Sequence, residues 1–191
     1  MANYTVQAGD TLFKIARDND LTLQNLLDAN PSIRNPNFIQ VGDIVLLPVA
    51  AGSPTGVGAD DVDIMARTIM GEARGESEEG KIAVGWVIKN RVNAGKWFSG
   101  DVYEVCRKPY QFSCWNQGDP SRVVILAART GDPVFDECID VARRVLSGSV
   151  PDPTGVATHY YANYISKPAW ADSPAIFTVK IGVHLFYKNV A

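Results

Sequence analysis

The sequence predicts an α+β protein, in which a small βααβ module is linked to a larger, mainly helical domain that ends in a small antiparallel sheet. Residues 49–58 contain no charge and no large side chain but three glycines and a proline, which is typical of a linker. Residues 1–48 begin and end in β-prone stretches that flank two helical ones. Residues 59–191 show helical periodicity first and β-prone alternation near their end.

The small module can be followed element by element. Residues 4–7 predict a strand, and apolar residues at helical spacing predict a helix over 12–16. A second helix is predicted over 23–27 and is ended by Asn30-Pro31. Residues 44–47 predict a second strand, which is free to pair antiparallel with the first.

This module resembles a LysM domain over its whole length. The resemblance rests on Tyr4-Thr5-Val6, Gly9-Asp10-Thr11-Leu12, the helix end from Leu26 to Asn30, and Gly42-Asp43. It implies binding of glycans that contain N-acetylglucosamine, in a shallow groove between the first turn and the loop after the second helix. Carried over to this chain, the groove residues are Gly9, Asp10, Thr11, Leu12, Asn30, Pro31, Ser32 and Ile33. For Leu12, packing in the core of a small domain is the alternative.

The larger domain, residues 59–191, is predicted to contain several helices followed by β-prone stretches. A helix over 60–68 delivers Glu72, and a strongly apolar helix over 78–93 is expected to be the central buried one. Shorter or later helices are predicted over 102–106, 121–129 and 134–147, and the β-prone stretches are 157–162 and 177–187. Gly182 interrupts the last stretch, so we expect a break in the strand there.

Composition excludes several classes of function. The formal net charge of the 191 residues is only −3, with no basic face, so nucleic-acid binding is disfavoured. Apolar stretches are much shorter than the roughly 20 residues that span a bilayer, so membrane insertion is not expected. The N-terminal residues lack the pattern of a signal peptide, which favours synthesis in a host cytoplasm. Cys106, Cys114 and Cys138 are expected to be reduced thiols, with a Cys106–Cys138 bridge after export as the alternative.

Residues 63–188 resemble the SleB/CwlJ family of bacterial cell-wall hydrolases. The matching stretches, in order, are Ala66-Arg67-Thr68-Ile69 with Gly71-Glu72-Ala73-Arg74-Gly75-Glu76, Val87-Ile88-Lys89-Asn90-Arg91-Val92, Gln111-Phe112-Ser113-Cys114-Trp115, Ala157-Thr158-His159-Tyr160-Tyr161, Pro168-Ala169-Trp170 and Ile181-Gly182-Val183-His184-Leu185-Phe186-Tyr187. The resemblance implies a lysozyme- and transglycosylase-like domain that cleaves the bond between N-acetylmuramic acid and N-acetylglucosamine. It also implies that Glu72 is the catalytic acid.

The chemistry of glycosidic cleavage agrees with a single glutamate. A protonated carboxyl is required at the leaving oxygen, and the oxocarbenium-like transition state must then be captured by a nucleophile. In a lytic transglycosylase the C6 hydroxyl of the muramic acid performs that capture, so one carboxyl suffices as acid and then as base. Glu76 is the candidate second carboxylate if the helix continues through Gly75. Its alternative is structural, as a helix cap or a partner of Arg74.

Aromatic and amide side chains are the candidates for the glycan groove, because aromatic faces suit the apolar faces of sugar rings. They are Gln111, Ser113, Trp115, His159, Tyr160, Tyr161, Trp170 and His184. Core packing is the alternative for the tryptophans, and a buried, satisfied side chain is the alternative for the histidines.

Three other functions compete with a glycosidase. A cysteine peptidase or amidase would use Cys114 with His159, although nothing in the sequence around Cys114 is suited to activate it. A zinc amidase would need three protein ligands, and the two histidines lack metal-ligand spacing, so no metal and no cofactor is expected. A non-catalytic wall-binding protein would leave Glu72 without a role. The sequence thus favours a monomeric peptidoglycan-degrading lytic transglycosylase that acts on glycan strands of the bacterial cell wall, as a phage endolysin does.

Overall fold

The structure is a computed structural model that describes residues 2–19, 21, 23–36, 38–48, 59–95, 98, 100–172 and 174–190. The predicted linker, residues 49–58, lies outside the described residues. The small module consists of β1 (Ala2–Thr5), α1 (Leu12–Arg17), α2 (Leu23–Asp28) and β2 (Ile44–Leu47). The helices of the larger domain are α3 (Ala59–Ala73), α4 (Glu78–Ala94), α5 (Val102–Arg107), α6 (Pro120–Ala127) and α7 (Pro133–Ser147), and its strands are β3 (His159–Ala162), β4 (Ile176–Ile181) and β5 (His184–Lys188).

The small module has the predicted βααβ order. Its strands pair antiparallel with Ala2 opposite Leu47 and Thr5 opposite Ile44. The first strand lies two residues earlier than predicted. Chain pairing nevertheless continues to Val6, whose N–H donates to the Asp43 carbonyl at 2.9 Å. Thr11 caps α1, because its hydroxyl accepts the Lys14 N–H at 3.1 Å.

Helix α3 is longer than predicted, and the added residues include Glu72. It runs through Gly71 and Glu72 to Ala73, so Glu72 lies in the last helical turn. A glycine usually weakens a helix, but here it allows close packing, since a Cβ on Gly71 would lie only 2.7 Å from the sulfur of Cys114. Helix α3 packs against α7 and α4, and α4 is buried on most of its surface, as its apolar sequence predicts.

The larger domain ends in a three-stranded antiparallel sheet of order β3-β5-β4. The predicted glycine break is the turn between β4 and β5, where Gly182 has a φ of +56°. In β3, Tyr160 pairs with Phe186 and His159 pairs with Tyr187. Because side chains alternate along a strand, neighbouring residues of β3 face opposite sides of this sheet.

The two domains touch at Phe13 of α1, whose ring lies 5.1 Å from the ring of Trp115. Cys106, Cys114 and Cys138 are buried free thiols, so the alternative bridge between Cys106 and Cys138 is not formed. Within the described ranges, no helix has the length and apolar character needed to span a bilayer.

Candidate active site

Glu72 is held by three hydrogen-bond donors from two separate parts of the larger domain. Its Oε1 accepts the backbone N–H of Cys114 at 3.0 Å and the hydroxyl of Ser113 at 3.4 Å. Its Oε2 accepts the hydroxyl of Tyr160 at 3.1 Å. The side chain is only partly buried. The carboxyl group is therefore fixed in direction, while the residue keeps partial access to solvent.

The first of these parts is a short 3₁₀ turn, Ser113–Trp115. Trp115 is 5% exposed, and its indole N–H donates to the Thr68 hydroxyl at 2.9 Å, one helical turn before Glu72. Gly71 lets Cys114 approach the helix closely. Cys114 and Trp115 therefore both pack against α3, which holds the Cys114 N–H close to Glu72.

The second part is β3, which contributes Tyr160. The ring of Tyr160 meets the ring of His184 edge to face at 4.8 Å and lies 5.6 Å from that of Phe186. Burial and the neighbouring Glu72 carboxylate raise the pKa of Tyr160 well above its ordinary value. Tyr160 therefore keeps its proton at neutral pH and remains a hydrogen-bond donor.

His184 is buried, and its Nδ1 makes no hydrogen bond to the described residues. Burial lowers the pKa of His184, and the charges of Glu76 and Glu72 oppose this only in part. Its neutral ring packs beside Tyr160, so His184 is buried, as the alternative held, but its Nδ1 is not satisfied by the described residues.

Arg91 of α4 connects the two parts and was not identified from the sequence as a site residue. Its Nε donates to the Thr158 carbonyl at 2.7 Å and its Nη1 to the Gln111 carbonyl at 3.2 Å. The guanidinium also lies over the rings of Phe112 and Phe98 at 4.6 and 5.3 Å. The available signal was that Arg91 lies in one of the stretches that match the SleB/CwlJ family, Val87-Ile88-Lys89-Asn90-Arg91-Val92.

Glu76 has a structural contact at the turn between β4 and β5. Because α3 ends at Ala73, the helical spacing that would have placed Glu76 beside Glu72 is not formed. Its Oε2 accepts the N–H of Val183 at 3.2 Å, and its carboxylate occupies the space that a side chain on Gly182 would need.

The structure divides the remaining groove candidates. Ser113 lies at Glu72, whereas Trp115 is packed in the interior and Gln111 uses its backbone carbonyl to bind Arg91.

His159, Tyr161 and Trp170 lie on the other face of the sheet from Tyr160, where the ring of Trp170 is 5.2 Å from His159 and 5.8 Å from Tyr161. Burial, with the nearby charge of Arg91, lowers the pKa of His159 to about 4. His159 is therefore neutral at physiological pH.

Several candidate groove residues of the small module are engaged in its own structure. The carboxylate of Asp10 accepts the Tyr4 hydroxyl and the Gln7 N–H, both at 2.8 Å, and these contacts lower its pKa. Leu12 is 2% exposed, so it lies in the core of the module, which was the alternative to a role in the groove.

Asn30 is also buried. Its amide bonds to the backbone of Leu26 and of Leu46. Gly9, Pro31 and Ser32 are exposed, and Ser32 and Ile33 line a cavity of about 390 Å³.

Cys114 is unsuited to be a nucleophile. It is 1% exposed, and burial together with the charge of Glu72 raises its pKa. A thiolate would therefore be disfavoured at this position. Among the described residues, no group of three or more His, Cys, Asp or Glu side chains is placed to hold a metal ion.

Comparison with known proteins identifies the family. The Cell Wall Hydrolase family matches residues 75–187, beginning just after Glu72, and the LysM domain family matches residues 4–48. The spore cortex-lytic enzyme of Halalkalibacterium halodurans is 31% identical over 140 residues, which are 72% of this chain and 37% of that enzyme. This chain thus spans well under half the length of that relative.

Two solved structures are similar as well. The catalytic domain of the Bacillus cereus SleB protein has a TM-score of 0.56 and 27% identity, covering 72% of this chain and 99% of that one. The catalytic domain of a germination-specific lytic transglycosylase, SleB from Bacillus anthracis, has a TM-score of 0.56 and 26% identity, covering 71% and 100%. The chain therefore belongs to the cell wall hydrolase family, and it carries a LysM domain ahead of its hydrolase domain.

Proposed function

We propose that this protein cleaves the glycosidic bond between N-acetylmuramic acid and N-acetylglucosamine in peptidoglycan as a lytic transglycosylase, with Glu72 as acid and then as base. The observation that carries the proposal is the Glu72 carboxyl group, which is fixed by Cys114, Ser113 and Tyr160 on a residue that is only partly buried. The similarity to a protein described as a lytic transglycosylase supports the reaction type.

The reaction would proceed in two steps. Protonated Glu72 gives its proton to the bridging oxygen, the glycosidic bond breaks, and positive charge develops at the anomeric carbon of the muramic acid. The C6 hydroxyl of the same sugar then attacks that carbon and gives its proton to the Glu72 carboxylate. The product is a 1,6-anhydro ring, and Glu72 is protonated again.

The three donors serve the intermediate stage, in which Glu72 carries a negative charge. A backbone N–H and two hydroxyls stabilise a carboxylate without moving. The hydroxyls of Ser113 and Tyr160 can also rotate to accept a hydrogen bond, so they are compatible with the protonated form.

Substitution of the acid tests the proposal. Glu72→Gln keeps the shape of the side chain but cannot donate or accept the transferred proton, so lysis of purified peptidoglycan, followed by turbidity, should fall by about 1,000-fold. Glu79→Gln, at an exposed position in the first turn of α4, is the matched control. Full activity of Glu72→Gln would remove this residue from the mechanism.

Product analysis separates transglycosylation from hydrolysis. Mass spectrometry of the released fragments should show anhydro ends, which are one water lighter than reducing ends. Reducing ends throughout would instead assign the activity of a muramidase that uses water.

We further propose that the LysM module binds glycan strands through Gly9, Pro31, Ser32 and Ile33, which remain accessible. A cosedimentation assay with purified peptidoglycan should show weaker binding for Ser32→Trp, because a large side chain would fill the cavity that Ser32 lines. Binding equal to that of the parent would place the glycan elsewhere.

The combination of a wall-binding module with a lytic domain in one chain supports a role as an endolysin, which acts as a monomer on the wall from inside the cell. Expression in a bacterial host should then cause lysis only after the membrane is permeabilised. Lysis of intact cells without permeabilisation would argue against this order of events.

A further inference from the structure

The contact between the two domains involves an aromatic residue at an unusual place in the LysM module. Phe13 follows Leu12 in α1, so it points about 100° away from Leu12 around the helix axis. Leu12 faces the core of the module, yet Phe13 is also buried, at 6% exposure. The larger domain provides this burial.

Phe13 is surrounded by side chains of the larger domain. Its ring meets Trp115 edge to face at 5.1 Å, with an angle of 84° between the planes, and lies 6.2 Å from the ring of Tyr103. The guanidinium groups of Arg107 and Arg67 lie 5.5 and 5.9 Å from the Phe13 ring centre. Aromatic rings attract each other in edge-to-face arrangements, and a cation is attracted to the face of an aromatic ring.

Trp115 connects the Phe13 contact with Glu72 through the neighbouring residue in the chain. It follows Cys114, whose N–H binds the Glu72 carboxylate, and its own indole N–H is bonded to Thr68. The Arg107 guanidinium lies 4.5 Å from the ring of Trp115 and also contacts Phe13. The LysM module therefore contacts Trp115, which belongs to the same turn as the N–H that binds Glu72.

We propose that the LysM module docks on the hydrolase domain through Phe13 and that Phe13 is a positioning residue, which acts through Trp115 to hold the Cys114 N–H on Glu72. This rests on the proposed function insofar as Glu72 is the acid. The docking fixes the orientation of the wall-binding module, which a linker alone would leave free.

The solved relatives indicate which effect to expect. The SleB structures are of catalytic domains alone, and this chain covers 99% and 100% of them. A domain of this fold thus forms without a LysM partner, so loss of the Phe13 contact should loosen the Ser113–Trp115 turn and leave the domain folded.

The test uses the full chain with Phe13→Ala, with Val41→Ala as control because Val41 is 69% exposed on the same module. The first readout is the indole N–H signal of Trp115 in NMR spectra, assigned with Trp115→Phe. In Phe13→Ala this signal should shift and its hydrogen exchange should become faster, whereas Val41→Ala should leave it unchanged.

The second readout is the rate of cleavage of a soluble glycan fragment. In Phe13→Ala, kcat should fall by about tenfold with little change in KM, because a displaced turn misplaces Glu72 but no substrate contact is lost. Phe13→Leu refills most of the contact and should restore most of the rate.

Each result bears on a different part of the reasoning. An unchanged Trp115 signal in Phe13→Ala would overturn the docking whatever the activity. A changed signal with an unchanged kcat would overturn the positioning role. If the parent protein cleaves no glycan, the proposed function fails, while the Trp115 signal still decides whether the module docks.

Discussion

Replacement of Gly71 by alanine should damage the site through packing alone. A Cβ at position 71 would lie 2.7 Å from the sulfur of Cys114, closer still to its Cβ, and 3.2 Å from a methyl group of Ile125. Ordinary contact would require the Ser113–Trp115 turn to move by about 1 Å. That movement would stretch the 3.0 Å hydrogen bond from the Cys114 N–H to Glu72 beyond its useful range.

Two opposing effects set the magnitude for stability. Overpacking a core position costs about 1–3 kcal/mol. The better helix propensity of alanine offsets about 1 kcal/mol of this. We therefore expect the free energy of unfolding to fall by only about 1 kcal/mol, while lytic activity falls by about 100-fold, because a 1 Å misplacement of a reacting group has effects of that size.

The assay compares Gly71→Ala with Gly75→Ala. A Cβ on Gly75 would meet no atom within 4 Å, so this control introduces the same methyl group four residues away without a clash. Stability is measured by urea unfolding and activity by the turbidity of purified peptidoglycan. Equal activity of Gly71→Ala and Gly75→Ala would show that the turn does not need its close approach to α3.

Three further predictions concern Tyr160, His159 and Gly182. Tyr160→Phe removes one hydroxyl donor from the Glu72 carboxylate, so kcat on peptidoglycan should fall by roughly 10- to 100-fold, and an unchanged kcat would deny Tyr160 a role. His159 has a lowered pKa of about 4 in the folded state, so its neutral form stabilises the fold above pH 6.5, and this contribution should be lost as the pH falls from 6.5 towards 4. Urea unfolding across this range should show a shallower pH dependence for His159→Gln than for the parent, and identical curves would contradict the shift. In Gly182→Ala, an alanine must adopt a φ of +56° and its Cβ would overlap the Glu76 carboxylate. The free energy of unfolding, measured by urea unfolding, should therefore fall by about 1–2 kcal/mol or more. An unchanged free energy of unfolding would contradict both the backbone strain and the overlap.

The sequence allowed the order of elements to be predicted, because helical and strand periodicities are local signals. It did not allow the end of α3 to be placed. The helix was predicted over 60–68, whereas it continues to Ala73 and uses Gly71 to pack against Cys114. That contact joins residues far apart in the chain, and no local pattern contains it.

The division of the groove candidates was within reach of the sequence but depended on the strand register. His159, Tyr160 and Tyr161 were grouped as one set, although alternation along β3 sends Tyr160 towards Glu72 and its two neighbours to the opposite face. The burial of Phe13 could not be predicted from the sequence. The side chains that bury it belong to the larger domain, and no local pattern in the LysM module indicates that contact.

Arg91 explains how distant segments converge on one carboxyl group. Its Nη1 binds the carbonyl of Gln111, next to the turn that contributes Ser113 and Cys114, and its Nε binds the carbonyl of Thr158, next to the strand that contributes Tyr160. Burial lowers the pKa of Arg91 to about 10, so the guanidinium stays charged at neutral pH. A planar group with several fixed donors can bind two carbonyls at once, which the single flexible ammonium of a lysine would do less well. The same residue therefore links the two segments that carry the donors to Glu72 and places a positive charge near the Glu72 carboxylate.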